Sequence, residues 1–152
     1  MNLATAIDKV FDTAYEKIKA AAKSDKRLSS LRAVVKGDRT VSNPQTPSLW
    51  VMLGACRCTH NASIREEWLV ELHLVAIVNM ANDGAAFSAT QLASDASSVL
   101  IRDRRMGLAG VVQDVKRANI FTQPARGPAE NSGLYAVDVQ VNVTMNIQET
   151  EC

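Results

Sequence analysis

In the stretch YAVDVQVNVTMNI, from Tyr135 to Ile147, every second residue is apolar and five of the six residues between them are polar. Successive side chains of a β-strand point to opposite faces, whereas a helix would spread the same residues around its circumference. The stretch therefore predicts one long strand, buried on one face and solvated on the other, in an antiparallel sheet covered on a single side. At ~3.3 Å per residue it spans roughly 40 Å, about twice the usual length, which suggests a strand that extends beyond its own domain.

Hydrophobic spacing and turn residues predict the elements of the first half of the chain. An apolar stripe at spacings of three and four indicates a helix from Leu3 to Ala22, ending in a charged stretch. Further along, a short strand is expected at Leu31–Lys36 and a central strand at Leu49–Cys58. A turn at Thr59–Ala62 then leads into a third strand, from Ile64 to about Met80.

The second helix is predicted from a capping signature. Ser88 is placed at the N-cap, Gln91 three residues later completes a capping box, and Phe87 and Leu92 are spaced for a hydrophobic staple. The apolar stripe that follows continues to about Arg102. This pattern favours a helix that begins at Ser88.

A fourth strand is predicted from Val111 to Ile120 or Phe121, and an irregular loop over residues 124–133 precedes the final strand. The predicted fold is α+β, with the order α-β-β-β-α-β-β. Two helices pack on one face of a mainly antiparallel sheet of about five strands. At 152 residues the chain is expected to form a single domain, residues 1–152.

Composition excludes several classes of protein. The 17 basic and 16 acidic residues leave a net charge of +1, which gives no overall attraction to nucleic acid or anionic lipid. The N-terminus lacks the features of a signal peptide, and no stretch has the ~18 apolar residues of a membrane span. The 3 cysteines are an odd count, which favours reduced thiols in a cytoplasm over a disulfide framework.

The sequence holds no recognisable catalytic arrangement. It contains none of four common motifs: a nucleophile elbow, a phosphate-binding loop, a dinucleotide-binding fingerprint or a Ser/His/Asp pattern. His73 lies in the middle of a predicted strand, where a satisfied or solvent-facing histidine is the ordinary interpretation. The residues therefore indicate a protein that is not an enzyme and needs no cofactor.

Two clusters have both a functional and a structural interpretation. Cys56, Cys58 and His60 lie two apart, so in a regular strand they share a face, and thiolate with imidazole suits zinc. A fourth ligand would have to come from the distant Cys152 or His73, so two half-buried thiols are the competing interpretation.

The second cluster is basic, and it follows the second predicted helix. Arg102, Arg104 and Arg105 are cations that can meet nucleic acid phosphates, but Asp103 lies among them and no aromatic residue adjoins them. A solvated helix end is the competing interpretation.

Three pieces of sequence carry a resemblance to a known family. They are PSLWVMLG at Pro47–Gly54, WLVELHL at Trp68–Leu74 and GLYAV at Gly133–Val137. Together with the order of elements over residues 3–147, they resemble the tail terminator proteins of long-tailed bacteriophages, the minor tail protein U type, and related tail-completion proteins. The chain departs from that pattern in its longer N-terminal helix and in its Cys-Arg-Cys strand.

The resemblance implies a structural virion protein that forms a hexameric ring on the finished tail tube. Such a ring halts polymerisation of tube subunits and presents a surface to the head-side connector or neck protein. The implied partners are copies of the chain, the tube protein and that connector, with DNA only passing through the lumen and no membrane. The implied location is the head-proximal end of the tail, after assembly in the host cytoplasm.

A ring requires two different patches on each subunit. We expect them in the loops at 38–47 and 122–132 and in the turn at 59–64, with Arg39, His60, Arg65 and Arg126 as contact residues. Two alternatives stay open: another head–tail connector, such as a neck or head-completion protein, and a metal-binding module built on the cysteine strand.

Overall fold

The computed structural model describes residues 2–37, 45–62, 64–79, 84–122 and 133–148. The five strands form one sheet in the spatial order β1-β2-β3-β5-β4, in which β1 and β2 are parallel and the other three pairings are antiparallel. The predicted fold class and element order are confirmed. The elements are α1 (Leu3–Ser24), β1 (Ala33–Lys36), β2 (Ser48–Ala62), β3 (Arg65–Asn79), α2 (Ala85–Ile101), β4 (Val112–Phe121) and β5 (Leu134–Gln148).

The long alternating stretch forms one strand, as predicted. The valines of β5 and its Met145 and Ile147 are buried at 0–2% exposure, and polar residues occupy its other face. Every residue of β5 has a partner on β3, from Leu134 opposite Asn79 to Gln148 opposite Arg65. The strand is therefore paired along its whole length on the side of β3, and the expectation that it extends beyond its own domain stays a prediction.

Both helices pack on the same face of the sheet and enclose the core. The stripe of α1 buries Ala6, Val10, Ala14 and Ile18 completely. Since β3 and β4 both run antiparallel to β5, they are parallel to each other, and α2 is the crossover between them. None of the helices among the described residues is long and apolar enough to cross a membrane.

The second helix begins earlier than the capping box predicted. Its N-cap is Gly84, in the left-handed region at φ 74°, and Ser88 N–H already donates to Gly84 O at 2.9 Å. Ser88 therefore lies inside the first turn, and Phe87 is 73% exposed and forms no staple. The residues Ala85 and Ala86 explain the difference, because alanine has the highest helix propensity and extends the helix toward its N-terminus.

The predicted turn at residues 59–62 is also wrong. These residues continue β2 as far as Ala62, which pairs with Arg65. Register shifts between Leu53 and Cys56 and between Cys58 and His60 place extra residues on β2 relative to β3. Such bulges break the regular alternation of a strand, so the pattern resembled a strand end.

Candidate interaction surface

The end of the β2–β3 hairpin is exposed to solvent along β2. We call residues 57–62 and 64–67 the hairpin tip. β1 pairs with β2 only from Ser48 to Val51, so further along β2 is hydrogen-bonded to β3 alone among the described strands. All six residues of the β2 part of the tip are exposed. The hairpin tip is therefore an accessible surface with a free strand edge.

Two of the four predicted contact residues come together here. His60 pairs with Glu67, Arg65 is the first residue of β3, and both side chains are exposed. Arg39 and Arg126 lie outside the described residues, as do residues 38–44 and 123–132 of the predicted contact loops. Of the four predicted contact residues, the structure therefore describes only the two in the hairpin.

Polar side-chain contacts in and beside the hairpin tip lie between its two strands and along β3. Thr59 Oγ1 donates to Glu67 Oε1 at 2.9 Å and also contacts the Glu67 carbonyl oxygen at 3.2 Å. At the base of the tip, Trp68 Nε1 donates to Glu66 Oε2 at 2.7 Å. These bonds tie both glutamates to their own hairpin, which gives the tip a defined shape.

The cysteine strand does not place its three candidate ligands on one face. Cys58 pairs with Trp68 and His60 with Glu67, and neighbouring residues of β3 point to opposite faces. The register shift between Cys58 and His60 therefore separates them. Among the described residues no group of three or more His, Cys, Asp or Glu side chains is arranged to hold a metal ion.

The thiol of Cys56 is held in its neutral form. Burial raises its pKa, and the negative charge of Glu71 raises it further. A thiolate is the species that binds metals and attacks substrates, so Cys56 has the chemistry of a structural thiol. Cys58 is exposed and its Sγ lies 3.4 Å from the carbonyl oxygen of His60.

A charged cluster lies on the open face, the face of the sheet opposite the helices. His73 of β3 contacts Asp138 of β5 through Nδ1 at 2.9 Å, and its Nε2 lies 3.8 Å from Glu71 Oε2. The side-chain hydrogen bond to Asp138 raises the pKa of His73, burial opposes this, and the charges of both carboxylates add to the increase. With a carboxylate beside each ring nitrogen, the protonated imidazole is stabilised.

Gly54 of β2 completes this arrangement by its lack of a side chain. A Cβ added at this position would lie 2.7 Å from His73 Nε2 and 3.2 Å from the Cβ of Glu71. His73 is therefore a satisfied histidine packed between three strands, one of the ordinary alternatives expected for a mid-strand position. Its acidic partner Asp138 is 65 residues away in sequence. No local sequence signal reports such a pair.

Two arginines of the basic cluster after α2 are engaged by carboxylates. Arg102 lies 3.9 Å from Asp25, and Arg104 donates from Nε to Asp114 at 3.1 Å. Arg105 has no ion pair among the described residues, although its backbone N–H donates to Asp103 Oδ1 at 3.1 Å. The side chains of Arg102 and Arg104 stay largely exposed, at 65% and 76%, so these surface ion pairs lower the net positive charge of the cluster without burying its arginines.

Comparison with known proteins shows a likeness of fold to solved structures. No family model and no curated protein matches the chain. A chain from the virion of a native gene transfer agent particle superposes with a TM-score of 0.58, covering 86% of this chain and 92% of that one. The two sequences are 14% identical, so the likeness concerns the fold.

Proposed function

We propose that this protein is a structural component of a phage-like virion. The observation that carries the proposal is the shared fold, which extends over most of both chains, with a chain of a gene transfer agent virion. In finer detail, we propose that six copies form a ring on the end of the tail tube. The ring stops the addition of tube subunits and provides the surface to which the head-side connector binds.

The sheet has the two different edges that a closed ring needs. In a ring, one patch of each subunit contacts a different patch of the next. One edge is the part of β2 beyond Val51, and the other is β4, on the far side of the sheet. The last six residues of β4, Lys116–Phe121, are all exposed, including Ile120 at 47% and Phe121 at 51%. Both edges are therefore accessible to neighbours.

The proposed contacts include His60 and Arg65 in the hairpin tip, together with Arg39 and Arg126 outside the described residues. The partners are neighbouring copies, the tube protein and the head-side connector, and DNA passes through the lumen without being read. The role is assembly and does not involve catalysis. It places the protein in the virion, at the head-proximal end of the tail.

Native mass spectrometry of the purified chain, with and without tail-tube protein, tests the ring. We expect a hexamer, formed alone or on the tube. The double variant His60→Glu/Arg65→Glu places two negative charges on the hairpin tip and should lower the hexamer fraction. Lys23→Glu, an exposed change on α1, is the matched control and should not.

Two results would contradict this proposal. One is a strictly monomeric chain even with tube protein present. The other is a ring that binds the portal and ignores tube ends, which would indicate a neck or head-completion protein.

A further inference from the structure

A basic cavity of about 830 Å³ lies where the start of β3, the end of β5 and the turn before β4 meet α1. Lys9 of α1, Arg65 of β3 and Arg105 line it, together with the turn from Gly107 to Gly110 and the end of β5 at Gln148. Four separate parts of the chain thus contribute to one concave surface. Its volume is within the range of cavities that bind ligands of several hundred daltons.

Among the described residues, the charge of this cavity is of one sign. Its described lining contains three cations and no aspartate or glutamate. Within the described ranges, Lys9, Arg65 and Arg105 take part in no ion pair, whereas the neighbouring Arg104 is bound to Asp114. Three uncompensated charges around a concavity create a local positive potential, although the whole chain carries only +1. The cavity therefore favours an anionic ligand.

The wall of the cavity also includes a free piece of strand edge. Asn146 N–H donates to Val111 O at 2.9 Å, and β4 begins at Val112, opposite Met145. Backbone groups on one side of a strand recur every second residue, so Gln148 directs its N–H the same way as Asn146. No described strand lies beside it there. An extended peptide can pair with such an edge.

We propose that this cavity binds an acidic segment of a partner protein in an extended conformation. The backbone of the segment adds to the edge of β5 at Gln148, and its carboxylates contact Arg65, Arg105 and Lys9. The free strand edge favours a peptide over a nucleic acid, because a phosphate backbone makes no use of strand hydrogen bonds. The proposal goes beyond the ring, since a single copy of the chain holds all the groups required.

Fluorescence anisotropy with a labelled peptide, acetyl-Ser-Glu-Val-Glu-Val-Glu-Ser-amide, tests the site in the full chain. We expect saturable binding that weakens as salt rises, because the contacts are between exposed charges. Each of Lys9→Gln, Arg65→Gln and Arg105→Gln should weaken binding about threefold, and the triple variant on the order of thirtyfold. Arg104→Gln is the matched control, since its guanidinium is already bound to Asp114, and it should leave binding unchanged.

Two further probes separate the alternatives. A peptide with glutamine in place of each glutamate should bind at least tenfold more weakly. A short DNA duplex at the same ionic strength should also bind more weakly than the acidic peptide. Equal affinity for the glutamine peptide, tighter binding of the duplex, or equal losses in Arg104→Gln and Arg105→Gln would overturn the proposal. Arg105 lies outside the hairpin tip, so its variant reports on the cavity whether or not the chain forms a ring.

Discussion

The two ends of β2 belong to one strand but occupy different environments. At its start, from Ser48 to Val51, the strand lies between β1 and β3 and under the helices, and Leu49 is fully buried. From Leu53 to Ala62 it pairs with β3 alone among the strands that the structure describes, and Leu53 is 42% exposed. The same apolar character therefore serves the core at one end and remains available to a partner at the other. The two ends of β2 differ mainly in whether the helices cover them, and less in residue type.

The largest predicted effect contrasts these two ends directly. Leu49→Ala should lower the free energy of unfolding by about 2–5 kcal/mol, because it leaves a cavity in a packed core. Leu53→Ala, the same change in the exposed part of the strand, should cost less than about 1 kcal/mol. Urea denaturation of both variants measures the difference. Similar losses would show that the far end of the strand is as much a part of the core as the start.

The second prediction tests the point at which β2 changes from one environment to the other. Gly54→Ala should lower the free energy of unfolding by about 1–3 kcal/mol, because the added methyl group overlaps the ring of His73, which is held by Asp138. Gly110→Ala is the control, since a Cβ there meets nothing within 4 Å. Thermal unfolding followed by circular dichroism measures both. A loss in Gly110→Ala equal to that in Gly54→Ala would contradict the steric explanation.

The His73 cluster on the open face of the sheet predicts how stability depends on pH. The pKa of His73 is raised in the folded state above its ordinary value of 6.5, so its pairing with Asp138 stabilises the fold fully below that value. The contribution is lost as pH rises through the raised pKa. Asp138→Asn should therefore cost about 1 kcal/mol near pH 6, as expected for a half-buried charge-assisted hydrogen bond, and less near pH 9.

Glu71→Gln is the matched comparison for that prediction. Glu71 is the more distant carboxylate, at 3.8 Å against 2.9 Å, so its loss should lower the pKa of His73 by less. Titration of the imidazole by NMR in the wild type and both variants measures this order. An unchanged His73 pKa in Asp138→Asn would refute the assignment of the cluster.

Local pattern was enough to predict the elements whose two faces differ. β5 alternates from Val137 to Ile147, and the stripe of α1 recurs at helical spacing, so the sequence of each indicated burial on one side. The predicted start of α2 at Ser88 is wrong because the alanines before Ser88 extend the helix toward its N-terminus. The prediction of a turn at residues 59–62 is wrong because a bulge in β2 changes the alternation without ending the strand.

The sites that the structure adds are made by residues far apart in sequence. His73 meets Asp138 only because β3 and β5 are neighbours in the sheet, and the basic cavity combines α1, β3 and the segment before β4. The sequence showed Arg102, Arg104 and Arg105 as one cluster. The fold divides them, because carboxylates of other segments engage the first two. Ion pairs between residues far apart in sequence therefore decide which of these arginines has a carboxylate beside it.

The smallest predicted effect on stability belongs to the hairpin tip, and it sharpens the contrast within β2. His60→Ala and Arg65→Ala remove exposed side chains with no ion pair among the described residues, so each should change the free energy of unfolding by less than about 0.5 kcal/mol. Their effect should be on assembly instead, measured as the hexamer fraction by native mass spectrometry. Thr59→Val is an informative third variant, because it removes the hydroxyl that binds Glu67 while leaving both contact residues in place.

If the tip acts through its shape, Thr59→Val should weaken assembly with little loss of stability. If it acts only through the side chains of His60 and Arg65, Thr59→Val should assemble like the wild type. Destabilisation by all three variants, with assembly unchanged, would place the hairpin tip in the folded core and remove it from the interface. The exposed end of β2 would then be an extension of the sheet without a partner, and the ring would have to close through other surfaces.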